Sequence, residues 1–144
     1  MADEATTPDL AERWREAFEV SGNQRNLDAV TSFYAADAVW EVVTLGISLE
    51  GVAAIRGFLE DWISSYEQFE IDVEEILDLG NGITFGVFIQ KGRPTGSKGH
   101  VRYRIAQVNT WVGGMIMRST GYNDIDEARA AAERLVEEGA EADV

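Results

Sequence analysis

HVRYRIAQVNTWVGGMIMRSTGY, residues 100–122, decides the fold. It reads as two long strands joined by a tight turn at Gly113-Gly114. Strand side chains alternate in direction, so Val101, Tyr103, Ile105, Gln107, Asn109 and Trp111 share one face, and Arg102, Arg104, Ala106, Val108 and Thr110 share the other. The first set is mostly large and apolar and should face a core. Gln107 and Asn109 stand in the middle of that face, where an amide without partners costs roughly 1–3 kcal/mol. Two amides at i and i+2 on an apolar face predict a polar patch inside a pocket.

On the N-terminal side of this hairpin, RPTGSKG (93–99) is a glycine-rich loop. ITFGVFIQK (83–91) before it is a strand with Ile83, Phe85, Val87 and Ile89 on one face. Asn81-Gly82 is the strongest short hairpin signal in the chain. Ahead of it, Phe69, Ile71 and Val73 alternate with Glu70, Asp72 and Glu74. Ile76, Leu77 and Leu79 break that alternation, which places a β-bulge at Glu74-Glu75. Four long strands therefore follow one another as a meander.

The first half of the chain is mainly helical. Thr7-Pro8 opens an amphipathic helix carrying Leu10, Trp14, Ala17 and Phe18. Asn26 caps a second short helix, and Asp37 opens a strand, AVWEVVT. A third helix from Val52 to Tyr66 buries Ile55, Phe58, Leu59, Trp62 and Ile63 and leaves Glu60, Asp61 and Glu67 in water. After the last strand, Asp124 or Asp126 starts a closing helix that Gly139 ends. The expected architecture is α+β: a cone-shaped, curved antiparallel sheet, three helices of the N-terminal half on its concave face, and a short C-terminal helix. A single domain spans 8–138, with 1–7 and 139–144 as disordered tails.

Composition narrows the function classes. The chain has 144 residues, 45% of them hydrophobic, enough for one substantial core. With 26 acidic against 12 basic residues the net charge is −14, which opposes nucleic acid and anionic membranes as partners. There is no cysteine, so thiolate chemistry and disulfides are excluded, in keeping with a cytoplasmic location. No apolar run reaches the roughly 18 residues needed to span a bilayer. The opening MADEATTPDL is acidic, unlike a secretory signal. The lone histidine, His100, lacks a carboxylate cluster around it, so no metal site and no cofactor are expected.

NLDAVTSFYAADAVWEV (26–42), GVAAIRGFLEDW (51–62), RIAQVNTWVGGMI (104–116) and GYNDIDEARAAAERL (121–135) together carry a resemblance to the nuclear-transport-factor-2-like superfamily and, within it, the SnoaL-like group. The resemblance implies the cone-shaped fold and a homodimer through the convex sheet face. It implies no single activity, since the superfamily holds isomerases, polyketide cyclases, epoxide hydrolases and binding domains. The general base of ketosteroid isomerases aligns with Val42, their phenol donor with Trp14, and their protonated Asp with Gln107, so that acid–base set is not reproduced. The Arg-x-Asp signature of limonene-epoxide-hydrolase-like enzymes is absent from GVFIQKGR (86–93), and their last-strand Asp falls at Gly121.

The residues expected to line a ligand pocket are Trp14, Phe18, Trp40, Tyr103, Gln107, Asn109, Met117 and Ser119. Trp14 and Phe18 would form its helical wall, and Met115 and Met117 would share the Ser119 face. Against this stands the plainer reading in which the aromatics fill a core and the backbone satisfies the amides. His100 is a weak catalytic candidate; the catalytic residues are otherwise unknown. The preferred function is binding of a small, largely apolar organic molecule without the usual catalytic carboxylates. The alternatives are a small-molecule cyclase, isomerase or hydrolase using the amide patch and water or His100, and a non-catalytic dimerisation module.

Overall fold

The computed structural model describes residues 10–21, 28 and 31–142, with the side chains of 17–21 and 139–142 left undescribed. Among these are helix α1 (Leu10–Ser21), strands β1 (Tyr34–Val42) and β2 (Ile47–Glu50), and helix α2 (Val52–Ser64). The long strands β3 (Tyr66–Gly80), β4 (Ile83–Pro94), β5 (Val101–Val112) and β6 (Met115–Tyr122) follow, and helix α3 (Ile125–Ala142) closes the fold. The predicted leader, the Thr7-Pro8 helix start and the Asn26 cap of the second short helix fall outside the described residues.

The strands form one six-stranded sheet in the order β2-β1-β6-β5-β4-β3. All neighbours are antiparallel except β1 and β6, which run parallel and bring Trp40 beside Ser119. The meander of four long strands is therefore the one expected. The Asn81-Gly82 turn has both residues at positive φ, 55° and 77°, the conformation that matches the strands' right-handed twist. Gly113-Gly114 repeats it at 61° and 82°. The register of β3 against β4 shifts between Val73 and Glu75, the predicted bulge, so Val73 and Ile76 both face inward. Strand β2 has no counterpart in the sequence reading, because ISLE is too short and too mixed to show a period.

The sheet is buried on both faces. Inside, Trp14 of α1 and Ile55 of α2 meet Ala38, Trp40, Ile76, Phe88, Trp111 and Ile116. Outside, α3 lays Ala128 and Ala132 over Ile83, Phe85, Val87, Ala106 and Val108. Here α3 departs from the short helix expected. Its 18 residues run past Gly139 to Ala142, and it starts on Asp124, whose carboxylate accepts the Glu127 N–H at 3.0 Å. The convex face, where a second copy was expected, carries ion pairs beside α3. Lys91 meets Asp72 at 2.5 Å, and Arg104 grips Glu74 through two bonds, which holds the Glu74 carboxyl below its usual range.

One bulge corrects the sequence reading. The register of β5 against β6 shifts between Thr110 and Trp111. Ile116, wholly buried, takes the inward position opposite Trp111, and the extra residue inverts the phase of the strand's first part. Met115 and Met117 therefore do not share the inward face of Ser119; both are only half-buried.

Candidate functional site

The interior of the cone is ordered in rows that cross the sheet, because strand register places residues side by side. One row runs Trp40, Ser119, Asn109, Thr84. The next runs Val42, Gly121, Gln107, Gly86 and Ile76. A third pairs Tyr103 with Gln90 and Ile71.

A cavity of about 600 Å³ opens above the second and third rows, between the end of α2 and the ends of β1, β5 and β6. Its floor is the Gln107 row, where Gly121 leaves the amide unobstructed on one side. Its helical wall is Phe58, Asp61 and Trp62, and its far side is Tyr66, Gln90 and Tyr103. Leu45 and Tyr103 stand at its mouth, 61% and 45% exposed. Trp40, Phe58 and Trp62 are linked edge to face, with ring centroids 5.2 Å and 5.9 Å apart, a packing that fixes the wall. Gln90 is buried and donates to the Tyr66 hydroxyl at 3.4 Å.

Of the residues singled out from sequence, Trp40, Tyr103 and Gln107 reach the cavity wall. Asn109 and Ser119 face inward but lie one row deeper, fully buried beneath the floor. There, among the described residues, the Asn109 amide and the Trp40 indole N–H have no hydrogen-bond partner, and the Ser119 hydroxyl lies beside the Tyr34 phenol. Trp14 does not reach the wall. It packs edge-on to Phe88 at 5.2 Å and closes the inner end of the cone. The Phe18 side chain lies outside the described residues. Met117 is displaced by the bulge. His100 sits on the exposed loop before β5, away from the cavity.

The helical wall is thus built by α2 and not by α1. Phe58 and Trp62 were legible as buried positions of α2, but nothing in a helical stripe distinguishes filling a core from facing a cavity. Asp61 is exposed, as its position beside the apolar stripe predicts, and it also lines the cavity, which the helical pattern does not reveal. Glu41, by contrast, points outward as expected and pairs with Arg118. Among the described residues no group of three or more His, Cys, Asp or Glu could hold a metal ion.

Solved structures share this architecture. A ketosteroid-isomerase-like-fold protein from Catenulispora acidiphila, solved with trimethylamine, superimposes with a TM-score of 0.67 at 18% identity, covering 89% of this chain and 95% of its own. A protein from Shewanella denitrificans described as a SnoaL-like polyketide cyclase gives 0.64 at 11% identity, over 88% and 98%. An LEH-like epoxide hydrolase from M. tuberculosis gives 0.64 at 19% identity, over 87% and 90%. At such identities the likeness is one of fold. No curated protein is detectably similar in sequence. The sequence profile of the SnoaL-like domain matches residues 11–119, from the first helix to the last strand, and with that the chain belongs to the SnoaL-like domain family.

Proposed function

We propose that the protein binds a small, largely apolar organic molecule in the cavity under α2, with Gln107 orienting a carbonyl or hydroxyl of that molecule. The observation that carries this reading is the cavity's makeup: about 600 Å³, mostly apolar wall, and two amides, Gln90 and Gln107, lining it from adjacent strands. Small-molecule sites have this size and this sparse polarity. Neighbours of this fold described as a SnoaL-like polyketide cyclase and an LEH-like epoxide hydrolase support it, since both descriptions imply small-molecule substrates.

Prodan, a neutral fluorescent naphthyl ketone, is a suitable probe. Gln107→Leu should leave the protein folded and weaken prodan binding about tenfold or more, as expected for losing a buried polar contact. Unchanged binding together with a more stable protein would remove Gln107 from the site. His100→Ala should leave prodan binding within about twofold, because the imidazole is on an exposed loop.

A second reading, a hydrolase or isomerase, is favoured by one feature: Asp61 puts a carboxylate on the wall. A carboxylate beside an amide can hold a water and accept its proton. Hydrolysis of styrene oxide that disappears with Asp61→Asn while prodan still binds would establish this reading over simple binding.

A further inference from the structure

Among the described residues, Asp61, itself exposed, is the only charged one lining the cavity, and no Lys, Arg or His lines it. Its position is electrostatically adverse. It lies in the last turn of α2, where the helix dipole already carries partial negative charge and disfavours a carboxylate. The acids nearest to it in sequence are neutralised, Glu60 by Arg56 and Glu67 by Arg93. Asp61 forms no ion pair among the described residues. Around it the wall presents the rings of Trp40, Phe58, Trp62, Tyr66 and Tyr103, whose faces attract cations. The net charge of −14 adds a field that draws positive solutes toward the molecule.

We propose that the cavity selects a substituted ammonium ion: an apolar body among the rings, with one positive charge at Asp61. The inference rests on the cavity being the ligand site, as argued above, and adds the charge of the ligand. An anionic ligand would meet a carboxylate and, among the described lining residues, no compensating cation. A neutral one would leave that carboxylate with no partner but water.

The test uses two compounds of nearly the same shape, phenyltrimethylammonium and its neutral carbon analogue tert-butylbenzene. Binding is followed by titration and by the fluorescence of Trp40 and Trp62 on the wall. The cation should bind at least about tenfold more tightly than the analogue, in the range of desolvated cation–ring and carboxylate contacts. Asp61→Asn should bring the two within about threefold by weakening the cation alone, with the melting temperature not lowered, since the side chain has no ion pair among the described residues and its charge opposes the helix dipole. Raising the salt concentration should weaken the cation and leave the analogue unaffected. Equal binding of the two compounds, or an Asp61→Asn loss shared by both, would overturn the charge preference while leaving the cavity as a ligand site. Failure of both compounds and of prodan to bind would overturn the cavity reading itself.

Discussion

Gly86→Ala should destabilise the protein by about 2 kcal/mol and lower its melting temperature by roughly 4–8 °C. The backbone at Gly86 has an ordinary extended conformation, so the effect is one of space. A Cβ there would lie 2.8 Å from two carbons of the Phe88 ring and 2.8 Å from Cζ3 of Trp14. Both rings are at most 2% exposed and stand edge to face, so neither can yield without disturbing the other. Alanine would by itself gain about 0.4–1 kcal/mol from a less flexible unfolded chain, which the overpacking must exceed. Phe88→Leu made in the Gly86→Ala background should recover at least half of the loss, although Phe88→Leu alone destabilises. Urea unfolding of the four proteins in that cycle measures the coupling directly. Additive losses would mean that the two rings are not what Gly86 accommodates.

That glycine marks a limit of what the sequence could say. In ITFGVFIQK, alternation assigned one face to Ile83, Phe85 and Val87, and the other face, Thr84, Gly86 and Phe88, was equally apolar in effect. Both are buried, one under α3 and one under α1. A strand covered on two sides carries no contrast between its faces, so its period cannot report direction. β5 was easier because its large apolar residues share one face and Arg102 and Arg104 stand on the other, and the inward phase read from the apolar set places Gln107 and Asn109 inside. β6 failed locally because Met115, Ile116 and Met117 are alike in character, and a bulge among like residues leaves no trace.

The candidate site was legible where it is made by β5 and invisible where it is made by tertiary approach. Gln107 and Tyr103 follow from alternation alone. That Trp62 and Asp61 join them depends on where α2 crosses the sheet, which no local pattern encodes. Asn109 and Ser119 show the converse. Their face was read correctly, but distance along the strand from the open end decides whether an inward side chain meets a cavity or is sealed under it.

That sealed layer gives the second large effect. Tyr34 enters it from the first residue of β1, 7% exposed and opposite Ile116. Burial pushes its phenol from the ordinary 10.0 up to about 12, with the nearby Ser119 hydroxyl pulling weakly the other way. A phenol that resists ionisation in the folded protein, but not in the unfolded chain, makes stability depend on pH in one direction. Below pH 10 both states keep the proton and Tyr34 adds no pH dependence. Between pH 10 and about 12 the unfolded chain loses its proton while the folded protein retains it, so unfolding is favoured as pH rises. Each pH unit in that window is worth up to about 1.4 kcal/mol, so the wild type should lose about 2 kcal/mol more than Tyr34→Phe by pH 12. Tyr122→Phe should change the same limb far less, because that phenol, though also raised by burial, is in good part hydrated. Urea midpoints taken from pH 8 to 12 for the three proteins make the comparison. If the wild type and Tyr34→Phe decline in parallel through this window, the Tyr34 hydroxyl ionises as freely as one in water, and the inner end of the cone is wet.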